Sequence, residues 1–67
     1  MLSNLDCSIL KELDRQNIKS DVISVVMNRL DTNDKKNDFL SFMIDNRNVL
    51  ISLKDIYNYL WSDKNER

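Results

Sequence analysis

The 67-residue chain contains no glycine, proline, histidine or alanine, and it has one cysteine. Glycine and proline make tight turns and end helices, and glycine lets the backbone approach a phosphate. Their absence disfavours β-hairpins and glycine-rich nucleotide-binding loops. Because Cys7 is alone and histidine is missing, neither an internal disulfide nor a common zinc site is expected. We therefore expect a fold that packing alone stabilises.

The remaining composition is that of an ordinary globular protein. Hydrophobic residues make up 42% of the chain and charged residues 31%, which is too apolar for a disordered segment. No apolar run approaches the length of about 18 residues that a membrane span needs. The N-terminal sequence also lacks the basic flank and apolar centre of a secretory signal. We expect a single domain over residues 1–67, located in the cytoplasm and without membrane contact.

The spacing of apolar residues predicts an all-α fold, a compact bundle of four short helices. The predicted helices span residues 4–16, 20–30, 33–45 and 52–62. Each begins near a side chain that can cap a helix N-terminus. The predicted caps are Ser3, Ser20 and Ser52 and, for the third helix, Asp31, Thr32 or Asn33. The charged residues 62–67 form a tail that we expect to fray.

The predicted core takes residues from all four helices: Leu5, Ile9, Leu13, Val22, Val26, Leu30, Phe39, Met43, Leu53, Ile56 and Leu60. Residues 22–26 and 49–51 also suit buried strands, because most of them are β-branched. We favour a helix at 22–26, since Ser20 precedes it and good helix formers follow. Asn17 is predicted to take the left-handed conformation that ends the first helix.

The sequence shows no arrangement suited to catalysis or metal binding. Residues 31–38 begin like a calcium-binding loop, but Lys36 stands where glycine is required and Phe42 where a bidentate glutamate is required. Cys7 has no histidine to act as its base, and we interpret it as structural. We therefore expect a non-enzymatic protein that uses neither a cofactor nor a metal.

The first helix carries apolar residues at helical spacing, and Ile18 and Ser20 then open the second helix. The apolar residues are Leu5, Ile9, Leu10 and Leu13. This pattern, over about the first 30 residues, resembles the start of winged-helix regulators of the leucine-responsive type. The resemblance implies DNA binding, with the helix at 33–45 in the major groove. For this alternative the candidate nucleic-acid-binding residues are Arg29, Lys35 and Lys36.

Two observations argue against DNA. After Ser20 the pattern departs from that family, because Ser24 and Val25 stand where a Leu-Ala pair is usual and no wing hairpin is evident. A DNA-binding helix should also be basic. Residues 31–46 contain four aspartates against two lysines, and the whole chain has a net charge of −1. DNA binding therefore stays the alternative.

Aromatic and apolar residues outside the predicted core point instead to protein binding. The candidate partner-binding residues are Phe42, Ile44, Tyr59 and Trp61, with Asp34 and Asp38 as acidic contacts. Tyr59 is expected on the side of its helix away from the core, and Trp61 either anchors a partner or closes the core. The expected function is regulatory or inhibitory, through contact with another protein or with a second copy in a homodimer.

The missing alanine and the abundant asparagine, lysine and isoleucine are typical of an AT-rich coding sequence, such as that of a low-GC bacterium or its phage. This bias suggests a protein encoded by a phage or mobile element. An acidic helical surface on such a protein would compete with nucleic acid for a basic groove on its target. We state this inhibitory role as a hypothesis.

Overall fold

In the computed structural model of the chain, residues 2–61 are described, and all of their regular secondary structure is helical. The helices are α1 (Asn4–Arg15), α2 (Ser20–Arg29), α3 (Asn33–Asp45) and α4 (Leu53–Trp61). The predicted all-α fold of four helices is confirmed, and the described helix ends lie within one residue of the predicted ones. The strand alternative at 22–26 is wrong, whereas 49–51 is neither helix nor strand. The predicted tail at 62–67 lies outside the described residues.

Three helix N-termini carry the side-chain caps that the sequence predicts. Ser3 and Asp6 form a reciprocal capping box, in which the Asp6 N–H donates to Ser3 Oγ over 3.1 Å and the Ser3 N–H donates to Asp6 Oδ2 over 3.3 Å. At α3 and α4 the cap is a single bond: the Lys35 N–H donates to Thr32 Oγ1, and the Asp55 N–H donates to Ser52 Oγ. The predicted cap at Ser20 is wrong, because the extended backbone that a cap requires falls at Lys19, whose side chain makes no capping bond.

The turn after α1 is built without glycine. Asn17 has a positive φ of 59°, which is the left-handed conformation predicted for it, and asparagine tolerates this conformation better than most residues. Its N–H donates to the Asp14 carbonyl, and the Ile18 N–H donates to the Leu13 carbonyl. This bonding satisfies the last carbonyls of α1 and turns the chain toward α2.

The core is drawn from all four helices and from the connection before α4: Ile9, Leu13, Val26, Leu30, Phe39, Met43, Ile51, Ile56 and Leu60. The most extensive helix packing is that of α1 on α3. Leu5 and Val22, predicted as core, are half-buried at its edge. Within residues 2–61, no helix is long and apolar enough to cross a membrane.

The prediction that Leu53 belongs to the core is wrong. Its side chain is 45% exposed, and Ile51, from the extended segment before Ser52, occupies the core instead. Ile56 and Leu60, one turn apart, form the buried row of α4. Leu53 belongs to the neighbouring row of that helix, which the core does not cover.

Candidate protein-binding surface

The connection between α3 and α4 is held by Gln16, a buried polar residue near the end of α1. Its amide nitrogen Nε2 donates to the carbonyls of Asn46 and Val49 over 3.3 and 2.9 Å. Its oxygen Oε1 accepts the Ile51 N–H over 3.0 Å. One side chain thus satisfies three backbone groups of the connection, and it fixes where the chain enters α4.

A second polar anchor joins the same connection to α1. Arg47 donates from Nε to Oε1 of the buried Glu12 over 3.3 Å and from Nη2 to Oε2 of the same carboxylate. Arg15 Nε lies 3.6 Å from Oε2. These charges lower the pKa of Glu12 although burial alone would raise it, and the hydrogen bonds from Arg47 are the largest cause. The pair is bidentate, a geometry in which arginine is hard to replace.

We expect acid to weaken this second anchor. Because the pKa of Glu12 is lowered from its ordinary value of 4.5, the pair stabilises the fold fully above that value and loses its effect as the pH falls through the folded-state pKa. The variant Arg47→Met lacks the main cause of the shift. Urea unfolding should therefore show a stability difference between wild type and variant that shrinks from about pH 6 to about pH 3. A difference that stays constant over this range would contradict the role given to the pair.

The outer row of α4 consists of Leu53, Tyr57 and Trp61, which we call the α4 face. These residues recur every fourth position, so they lie one above another on the helix. Leu53 is 45% exposed, Trp61 is 50% exposed and Tyr57 is half-buried. From first to last the row covers eight helical steps, or about 12 Å. The α4 face is therefore an apolar strip that the fold leaves open.

The Trp61 ring is held by two neighbours. The Arg29 guanidinium lies over it, 4.8 Å from the ring centroid, and Arg29 Nε donates to the Leu60 carbonyl over 3.3 Å. The Tyr57 ring meets it edge-on at 5.6 Å. Both contacts have favourable geometry for an aromatic ring. They join the end of α2 to the end of α4 and orient a tryptophan whose surface is still half in solvent.

Phe42 and Tyr59, both predicted to bind a partner, pack on each other. Their rings stack at 4.5 Å, and Tyr59 also lies 5.8 Å from the buried ring of Phe39. The expectation that Tyr59 lies away from the core is therefore wrong, because its half-buried ring closes the seam between α3 and α4. Burial raises the pKa of the Tyr59 hydroxyl, and the nearby charge of Asp38 raises that pKa further.

The structure divides the predicted partner-binding residues among separate places. Asp38 lies near Tyr59, which stacks on Phe42, whereas Trp61 lies with Arg29 at the other side of α4. Asp34 and the 44% exposed Ile44 lie at opposite ends of α3.

Sequence reasoning missed two members of the α4 face, because it assigned Leu53 to the core and did not include Tyr57 among the partner-binding residues. Their one available signal is the four-residue spacing to Trp61. The same spacing joins Ile56 to Leu60, so it does not distinguish the exposed row from the buried row.

The three candidate nucleic-acid-binding residues each contact other parts of the chain. Arg29 covers Trp61, Lys35 pairs with Asp31 over 3.0 Å, and Lys36 pairs with Asp6 over 2.9 Å. The hydrogen bond from Lys36 is the largest cause of the lowered pKa of Asp6. Each of the three cations is thus engaged within the fold, whereas nucleic-acid binding relies on positive charge that is free to meet phosphates.

An open groove of about 520 Å³ lies between α1 and α2, where Leu2, Leu10 and Met27 line it beside the Asp6 and Lys36 ion pair. Among the residues that the structure describes, no three acidic, histidine or cysteine side chains are placed to hold a metal ion. No protein-family model matches the chain, nor does any curated protein or solved structure.

Proposed function

We propose that this chain is a non-enzymatic regulatory protein that binds another protein through the α4 face. The observation that carries the proposal is Trp61, which is half-exposed yet held in place by Arg29 and Tyr57. Tryptophan, tyrosine and arginine are the residue types that most often dominate the energy of protein interfaces. Side chains that are already ordered lose less conformational entropy when a partner binds.

A further aliphatic side chain is exposed just before α4. Leu50, three residues before Leu53, is 81% exposed. The backbone on both sides of Leu50 is bonded to Gln16, through the Val49 carbonyl and the Ile51 N–H. This bonding fixes the backbone at Leu50 and so keeps its side chain exposed just before α4. Exposed apolar surface of this kind on a small domain usually marks an interaction site.

DNA binding through α2 and α3 has less support. The exposed side of α3 carries Asp34, Asp38 and Asp45, while Lys35 and Lys36 are paired with carboxylates. Phosphate neutralisation would require breaking those pairs without any surplus of positive charge on the helix.

Recovery of a partner from an extract of the source organism tests the proposal. We expect Leu53→Glu and Trp61→Ala each to reduce the amount of bound partner about 30-fold or more, because truncation of an interface anchor costs about 2 kcal/mol or more. Both side chains are at least 45% exposed, so circular dichroism should show unchanged helix content. Ser41→Glu, on the exposed side of α3, is the matched control and should retain the partner.

Equal retention by all three variants would contradict the proposal, as would a loss confined to Ser41→Glu. Sequence-independent DNA retention that falls steeply as salt rises would favour the alternative function.

A further inference from the structure

Resting on the proposed function, we infer that the partner presents an acidic amphipathic helix to the α4 face. Apolar side chains of that helix would cover Leu53 and Trp61, and its carboxylates would face Arg29 and Lys54. The inference depends on the charge around the strip, on the length of the strip and on the absence of a strand edge.

Among residues 2–61, the charge beside the α4 face is positive. Lys54 follows Leu53 and lies two turns before Trp61 on the same side of the helix, while Arg29 lies over Trp61. Four other cations, Arg15, Lys35, Lys36 and Arg47, form ion pairs with carboxylates. Over residues 2–61, neither Arg29 nor Lys54 forms such a pair. An acidic partner would therefore meet two positive groups without breaking any ion pair of the described residues.

Within residues 2–61, the carboxylates nearest in sequence form no ion pair with these two cations, although, after the hydrogen bond from Lys35, the charge of Arg29 also helps to lower the pKa of Asp31. Asp55 is two residues after Leu53, which at 100° per residue places it on the opposite side of α4. Asp31, two residues after Arg29, is bonded to Lys35 at 3.0 Å. An approaching acidic segment would thus meet two cations and an apolar strip together, and a basic segment would be repelled.

The shape of the strip fits a helix. Its length of about 12 Å matches apolar anchors seven or eight residues apart on a partner helix, at a rise of about 1.5 Å per residue. A partner that adds a strand needs an exposed sheet edge, and the described part of this chain has no strand. Packing of an amphipathic helix along an apolar surface is another common mode of peptide recognition, and it needs no strand.

Two other occupants fit less well. A second copy in a symmetric dimer would place Arg29 and Lys54 near the same residues of its partner, because the same patch meets itself across a two-fold axis. A single-stranded nucleic acid would stack on aromatic rings, but the guanidinium of Arg29 already covers the Trp61 ring. The exposed Leu53 also offers no stacking surface.

A peptide library tests the inference on the full chain. The peptides are helical, contain no tryptophan, carry leucines seven residues apart and have randomised polar positions beside them. Selection should enrich aspartate and glutamate at those positions. Because Trp61 is the sole tryptophan, its fluorescence reports binding directly. Replacing the selected acids by lysine should weaken binding about 10-fold or more. Lys54→Glu should remove or reverse this preference.

The possible failures are distinguishable. One failure is the enrichment of basic or uncharged residues in peptides that Leu53→Glu no longer binds. That result would overturn the acidic partner but keep the α4 face as a protein-binding surface. If the wild-type chain retains no more peptide than Leu53→Glu does, both proposals are contradicted. Tighter binding of a single-stranded oligonucleotide, or a dimer in sedimentation that Leu53→Glu dissociates, would also overturn the inference of an acidic helix.

Discussion

Gln16→Leu should lower the free energy of unfolding by about 3 kcal/mol, because it removes the hydrogen bonds of Gln16 to three backbone groups of the α3–α4 connection. The most costly of these is the bond from the Ile51 N–H, since both Ile51 and this hydrogen bond are buried. The Asn46 and Val49 carbonyls lose a donor as well. Leucine matches glutamine in size, so the loss measures the hydrogen bonds more than the packing.

Urea unfolding followed by circular dichroism measures this loss, and amide hydrogen exchange at Ile51 should accelerate in parallel. Lys11→Leu is the control, because it introduces the same residue at an exposed position of α1 and should change stability by no more than about 0.5 kcal/mol. Equal effects of the two substitutions would contradict the anchoring role of Gln16.

Phe39→Ala should cost about 3–5 kcal/mol, the largest effect we expect in the chain. Phe39 is fully buried, and its ring lies 6.0 Å from that of Phe42 and 5.8 Å from that of Tyr59. Its removal empties the seam at which α4 packs on α3. A 67-residue domain has a total stability of about 3–10 kcal/mol, so much of the variant population should be unfolded at room temperature.

Two further substitutions in α3, measured by the same urea unfolding, test whether the burial of Phe39 accounts for the loss. Ser41→Ala, on the exposed side of α3, should change stability by about 0.5 kcal/mol or less. Phe39→Leu should cost less than Phe39→Ala, because leucine fills part of the cavity. If Phe39→Ala unfolds at the same urea concentration as wild type, the aromatic seam does not hold α4 in place.

The features predictable from sequence are the local ones. The capping box of Ser3 with Asp6, and the left-handed turn at Asn17, depend on residues within three positions of each other. The apolar periodicity that predicts the helices likewise depends on residues three or four positions apart. Gln16 contacts residues 30 to 35 positions away, and Glu12 meets Arg47 at a separation of 35. No spacing rule predicts such pairs, and glutamine and glutamate are residue types that usually lie on the surface.

The α4 face shows why a binding surface is harder to predict than a helix. The sequence identifies Trp61 as a candidate anchor, but periodicity does not decide whether the row of Leu53 or the row of Ile56 faces the core. That choice depends on where the connection delivers Ile51, and so on Gln16. Arg29, a candidate for nucleic acid, instead covers Trp61.

Photo-cross-linking in cells of the source organism tests the central claim most directly. A photoreactive phenylalanine analogue is placed at Leu53 on the α4 face or at Ser41 on α3, two positions that are both exposed. We predict a discrete adduct with one other protein from position 53 and none from position 41. The same adducts from both positions, or none from position 53, would contradict a partner on the α4 face.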